Sequence, residues 1–264
     1  MNRILVALIS LTLLCAACSH NKPIKTTKDK LPKLSGKTKD TLAYTYEGEG
    51  GESDSCNCDY IAITYPLFKT RTSLNDTIKE MVVGTLSEYN EDSSDTTKSL
   101  AVRVKTVVEN NTSKVDTSEG QSVPTTYELH IRVMSQDSKV LVLEVEEDGS
   151  GGAHPNSRSI YINWDTKKDE EIVLDDVLVK DYSDKLDEIA DKIIREEKLN
   201  EGLSDGGDTF ALNSNYYFAP DGIHFYYNNY EIKSYMQGPT DLLIPYSKIK
   251  KLIRPGSVLS QYIK

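Results

Sequence analysis

Cysteine is scarce, long apolar runs occur at one place, and basic residues thin out after the first forty positions. Each shortage removes a class of function. The four cysteines stand at 15, 18, 56 and 58, and the last two form an isolated Cys-x-Cys. A zinc site takes three or four ligands, and no second Cys-x-Cys or His pair stands at a matching spacing, so neither a metal nor another cofactor is expected. In an oxidising compartment Cys56 and Cys58 would pair with each other or with another chain; the ring closed by one intervening residue is tight and makes a labile local disulfide. Gly-x-Ser-x-Gly and His-Glu-x-x-His are both missing, and no Cys/His pairing replaces them, so no complete catalytic constellation is present. Residues 1–39 hold eight of the 31 basic groups and one of the 41 acidic ones, leaving 23 bases against 40 acids in residues 40–264, a balance of −17. Nucleic-acid binders carry basic patches, so nucleic acid is excluded as a partner.

The one apolar run is N-terminal. Arg3 precedes Ile4 to Leu14, and Cys15-Ala16-Ala17-Cys18 follows. A positive start, a short apolar stretch and small residues before the cut describe an export signal, too short to span a bilayer. Ala16-Ala17 before a cysteine, with Leu14 upstream, resembles the lipobox of bacterial lipoproteins, which makes Cys18 the lipid-attachment residue. Cys15 departs from the aliphatic residue usual three positions before the acylated cysteine. The alternative is an ordinary secretory signal cut after Ala17. Residues 18–40 are Lys-, Thr- and Pro-rich with little to bury, as in a solvated tether that also suits anionic headgroups. The expected organisation is therefore a signal peptide at 1–17, a lysine-rich tether at 18–40, an N-terminal α+β half at 41–138 and a C-terminal α+β half at 139–264. The chain would be lipid-anchored in the cell envelope, at the outer membrane facing the periplasm.

Apolar alternation in the folded part has mostly the period of strands. Leu100, Val102 and Val104 alternate with Arg103 and Lys105, which predicts a half-buried strand. Tyr127, Leu129, Ile131 and Val133 alternate with Glu128, His130 and Arg132, and Ile160, Ile162 and Trp164 with Tyr161 and Asn163. Val140–Val145 is more uniformly apolar, as in a central strand. Asp165–Lys168 reads as a turn into a strand at Glu171–Leu174. Helical spacing predicts two main helices, at about 74–90 on a Ser73 cap and at about 182–199, and a short one at 246–253. The fold class is α+β: antiparallel sheets packed with these helices, in two halves sharing one sheet system.

The most distinctive loop is Asp148-Gly-Ser-Gly-Gly-Ala-His-Pro-Asn156. Gly151 to Asn156, the following Tyr-Ile-Asn-Trp-Asp strand and Ile172-Val-Leu-Asp-Asp-Val-Leu178 resemble a family of uncharacterised extracytoplasmic domains. That family includes the C-terminal lysozyme-binding domain of the anti-sigma factor RsiV and the domain that accompanies the deacetylase in PdaC-like proteins. Tyr65-Pro-Leu-Phe68, Phe210-Ala-Leu212, Phe225-Tyr-Tyr227, Tyr230-Glu-Ile232 and Gly238 to Tyr246 extend the likeness across about 60–264. The resemblance implies an α+β domain that binds a protein or cell-wall material. The chain departs from the anti-sigma relative in having no transmembrane helix and no cytoplasmic segment, so the resemblance carries over a binding surface alone.

Three readings of function result. The first is a membrane-anchored lipoprotein that binds a basic protein such as lysozyme, for which an acidic domain is electrostatically suited. Its candidate surface is the loop around Gly151–Arg158, with His154, Asn156, Arg158 and Tyr161. The second is a peptidoglycan or glycan binder using the tyrosine cluster at 216–235, with Tyr217, Tyr227 and Tyr230, because Tyr offers an apolar ring with a polar tip. Most of those rings are expected in the core, leaving two or three for a surface. The third is a cell-envelope hydrolase using His154 as general base; the bland alternative is that His154 and Asn156 lock a glycine-permitted turn. His130 and His224 are read as surface or hydrogen-bonded strand histidines.

Overall fold

Four consecutive apolar residues from Val140 to Leu143 would be wasteful in a strand with one wet face, and the computed structural model gives them two buried ones. The structure describes residues 41–48, 60–89, 102–103, 126–150, 156–196 and 211–263. Val140–Ser150 forms β4, flanked by β3 (Thr126–Gln136) and β5 (Asn156–Asp165) in a six-stranded sheet of order β1-β2-β3-β4-β5-β6. The others are β1 (Thr41–Gly48), β2 (Tyr60–Phe68) and the two-residue β6 (Glu170–Glu171). Neighbours are antiparallel except β2 and β3, which run parallel. A parallel pair requires a crossover. Helix α1 (Thr72–Tyr89) lies within this one, and Leu74, Ile78 and Val82 of α1 are buried in the same cluster as Ile63, Leu129, Leu141, Leu143, Val145, Ile162 and Trp164.

The opposite side chains of β4, Val140 and Val142, enter a second core. A three-stranded antiparallel sheet of β7 (Tyr216–Phe218), β8 (Gly222–Tyr227) and β9 (Thr240–Pro245) contributes Phe218, Ile223, Phe225, Tyr227, Leu242 and Ile244. Helix α3 (Ser183–Glu196) contributes Leu186, Ala190, Ile193 and Ile194, and its outer face carries Lys185–Glu188 and Asp191–Arg195 pairs. The single turns α2 (Leu174–Val177) and α4 (Tyr246–Ile249) close the layer with Val177 and Ile249. Gly222 is required at the start of β8, since a Cβ there would stand 2.3 Å from the Ile244 carbonyl oxygen.

Asparagine side chains stand in for ladder rungs where the two sheets meet. Asn163 of β5 donates to the Tyr216 carbonyl at 2.9 Å and accepts from the Phe218 amide at 2.8 Å. Asn215 donates to the Ser159 carbonyl and accepts from the Tyr161 amide; Asn228 donates to the same carbonyl and accepts from the Ser159 amide. Buried backbone groups demand partners, and these amides supply them where no strand does.

Four sequence expectations need correction. Val102 and Arg103 are helical, with Val102 exposed and Arg103 buried, the reverse of the alternation predicted for a strand there. The strand expected at 171–174 is only Glu170–Glu171: Ile172 turns to the core from the link before α2 and Val177 from the end of α2, and the Asp176 carboxylate accepts from the Val173 amide to start α2. The helix expected over 246–253 stops at Ile249, and Ile253 bridges to Leu178. Ser73 lies inside α1 rather than capping it; its amide donates to the Asp169 carboxylate, 96 residues away.

Candidate functional site

Strand parity decides which polar side chains meet. In β8, Ile223, Phe225 and Tyr227 face the core, so His224 and Tyr226 take the other face; cross-strand pairing sets Tyr217 opposite His224 and Asp241 opposite Tyr226. On the larger sheet, residues of Val140 and Val142 parity include Glu144 and Glu146, and Tyr161 of β5 stands opposite Glu144. Arg132 of β3 is also opposite Glu144. The joint between the sheets brings these two polar faces together.

The centre is a stack of rings. Tyr217 lies on His224 with centroids 4.5 Å apart and planes 11° from parallel, and Tyr161 meets Tyr217 at 4.7 Å and Tyr226 at 5.3 Å. Carboxylates surround the stack. Asp241 accepts from the Tyr217 hydroxyl at 2.7 Å and lies 3.0 Å from His224 Nδ1, while Asp221 lies 3.2 Å from His224 Nε2. Glu144 accepts from the Tyr161 hydroxyl at 3.2 Å and from Arg132 at 2.8 Å, and Arg132 also pairs with Glu146 at 3.2 Å. Beyond them, Glu128 holds His130 at 3.0 Å.

Burial opposes a charge on His224, but the bonds to Asp241 and Asp221 outweigh it and raise its pKa. Burial likewise opposes ionisation of Asp241, and the bonds from His224 and Tyr217 outweigh that and lower its pKa. Burial, reinforced by the neighbouring carboxylates, pushes the phenols of Tyr161, Tyr217 and Tyr226 upward. The phenols therefore stay protonated donors. While it is charged, His224 donates from both ring nitrogens to carboxylates and has no lone pair to accept a substrate proton. The arrangement offers flat aromatic surface and acceptor oxygens, which is chemistry for binding a cation.

The sequence candidates are dispersed by the fold. Tyr161 and Tyr217 enter the site. Tyr227 is on the core side of β8, its hydroxyl donating to the Ala211 carbonyl at 3.4 Å. Arg158 shares the α1 face of β5 with Ile162 and Trp164 and forms an ion pair with Glu147 at 2.6 Å, away from Tyr161. Tyr230 is 62% exposed in the loop after β8, at φ 69°, with its ring 5.5 Å from Tyr235. Asn156 opens β5 opposite Gly149. His154, Cys18, Cys56 and Cys58 lie outside the described residues. Asp221, His224, Tyr226, Asp241 and Glu144 do not stand out as site residues in the sequence, although alternation of Ile223, Phe225 and Tyr227 already puts His224 and Tyr226 on one polar face. No cluster of three or more metal-ligating side chains occurs among the described residues, and none of their helices is long and apolar enough to cross a membrane.

The family match falls on the second sheet and its helices, while the likeness to solved structures spans most of the chain. Residues 173–247 match the family model described as protein of unknown function, DUF3298. Two solved DUF3298 proteins share the fold over nearly their whole length. One, from Bacteroides fragilis, is 20% identical with a TM-score of 0.64, covering 85% of this chain and 96% of that one. The other, from Pseudomonas aeruginosa, is 16% identical with a TM-score of 0.58, covering 89% and 96%. No curated protein matches the chain significantly. The DUF3298 stretch contains Tyr217, Asp221, His224, Tyr226, Tyr230 and Asp241, whereas Tyr161, Glu144 and Arg132 come from the larger sheet outside it.

Proposed function

We propose that this chain is an exported, lipid-anchored binding protein of the cell envelope that meets a basic protein, such as a lysozyme or another cell-wall-active protein, through the acidic and aromatic face at the sheet joint. The observation that carries this reading is the grouping of Glu144, Glu146, Asp221 and Asp241 around Tyr161 and Tyr226. Aromatic rings anchor interfaces and carboxylates steer a cationic partner. A balance of −17 over residues 40–264 extends that steering beyond the face itself. Attachment through Cys18, with residues 18–40 as tether, would hold this face away from the membrane.

A second reading rests on the exposed Tyr230 ring beside Tyr235, a surface suited to stacking on sugars of peptidoglycan. The hydrolase reading rests on His154, which lies outside the described residues. Calorimetric titration of the full chain in non-ionic detergent separates the two binding readings, with a basic lysozyme and peptidoglycan fragments as parallel titrants. A charge-steered protein complex weakens severalfold between about 20 and 150 mM salt, whereas sugar stacking hardly responds. Saturable, salt-sensitive heat with lysozyme supports the first reading; heat with the glycan alone replaces it with the second.

A further inference from the structure

The groove of about 340 Å³ between α2, α3 and Leu212–Tyr216 is lined by apolar residues such as Leu174, Leu186 and Phe225 together with Asp175 and Asp187. The groove of about 290 Å³ beside Gly256–Val258 mixes Lys139, Lys167 and Lys168 with four carboxylates, so no ligand charge suits it. The geometry at the sheet joint reaches further. His224 is clamped between two carboxylates in the middle of the face that the proposed partner would use.

We infer that the Asp221–His224–Asp241 clamp is a proton-operated latch that holds Asp221 closed when His224 is charged and releases it to a cationic partner when His224 is neutral. The inference rests on the proposed binding function and adds its regulation. An imidazolium has two N–H donors, one for each carboxylate. A neutral imidazole has one donor and one acceptor, and its bare nitrogen repels whichever carboxylate faces it. The two carboxylates are not equivalent. Asp241 also accepts from Tyr217 and its side chain is 41% exposed, while Asp221 has no second bond among those described and its side chain is 61% exposed. Asp221 is therefore the one released.

The charged and titratable groups facing His224 come from every strand around it: Tyr217 on β7, Asp221 in the β7–β8 turn, Tyr226 on β8 and Asp241 on β9. Tyr161 on β5 lies behind Tyr217, and Glu144 on β4 beyond that. The phenols are pushed further above neutral pH and Asp241 further below it, so His224 is the shifted group here that changes state near neutral pH. Its loss of a proton makes the face one unit more negative and frees an exposed carboxylate. A basic partner then binds more tightly. By linkage, partner binding must lower the pKa of His224 and expel a proton from it.

The test is calorimetric titration of the full chain with a basic lysozyme from pH 5.5 to 8.5, in buffers of different ionisation enthalpy, for the natural chain, His224→Gln and Asp221→Asn. Because lysozyme loses charge of its own over this range, the ratio between natural and variant chains is the readout. The natural chain should gain about two- to fivefold over His224→Gln as pH rises, as one exposed ion pair allows. It should also release a fraction of a proton that the variant does not. Asp221→Asn, at an exposed position that leaves the core intact, should bind more weakly than the natural chain at every pH, because the face loses one charge, and should show a smaller rise with pH than the natural chain. Equal pH dependence in all three chains overturns the latch and leaves the binding function standing. Absence of binding at every pH overturns both.

Discussion

Asn163 holds two backbone groups of β7 from a neighbouring sheet, and its loss would strand both inside the protein. Leaving a buried donor or acceptor without a partner costs about 1–3 kcal/mol each. Asn163→Ala is accordingly expected to destabilise by about 2–4 kcal/mol in urea denaturation, more than its small change in apolar area would suggest. The tyrosines make a second residue-scale contrast. Tyr227→Ala empties a core position and should cost about 3–5 kcal/mol, while Tyr230→Ala, at an exposed ring, should stay within about 0.5 kcal/mol. Sequence composition treats Tyr217, Tyr227 and Tyr230 alike, as members of one cluster. What separates them is parity along a strand, visible in Ile223-His-Phe-Tyr-Tyr227, and the loop that carries Tyr230 clear of the sheet. Arg158 and Tyr161 are close in sequence but differ in parity, so β5 directs them to opposite faces.

Elements with strong periodicity are legible in the amino-acid pattern: α1, α3, β3, β4 and β5 all lie where apolar spacing places them. Those that differ from expectation depend on distant partners. Val102 and Arg103 alternate like strand residues, yet burial of the arginine is a tertiary outcome that local pattern does not encode. The start of α1 shows the same dependence, because its cap is an aspartate from another hairpin. Asp169 accepts from the Ser73 amide at 3.1 Å and from the Trp164 indole at 3.0 Å, at a φ of 56°. Asp169→Gly keeps that backbone comfortable and loses only the two bonds, an expected cost of about 1–2 kcal/mol. Asp169→Ala loses the same bonds and adds left-handed strain of about 1–2 kcal/mol. Thermal melts should rank Ala below Gly, the reverse of what helix propensity alone would give. Equal losses would mean that the positive φ is not held in solution.

At the scale of the whole molecule, the sheet joint is both the support for the candidate face and the place where pH acts on stability. Charge composition foretells an acidic surface but not where it gathers, since Glu144 and Asp241 are 97 positions apart and meet only through two sheets. Two kinds of group there respond oppositely to pH. Asp241 has its pKa lowered in the fold, burial being outweighed by His224 and Tyr217, so its contribution is present above about pH 4, the unfolded value, and is lost as pH falls through the folded one. Asp137 behaves alike, burial being outweighed by bonds from Tyr262 and the Val140 and Lys139 amides. His224 is raised, so its contribution is complete below about pH 6.5 and is lost as pH climbs through its folded value. Both contributions coexist between about pH 4 and 6.5, and urea denaturation across pH 3–9 should find maximum stability there. His224→Gln should flatten the decline on the alkaline side, and Asp137→Asn should soften the decline on the acid side. An alkaline limb that survives His224→Gln unchanged would place the responsible proton elsewhere and remove the basis for treating the clamp as responsive to pH at all.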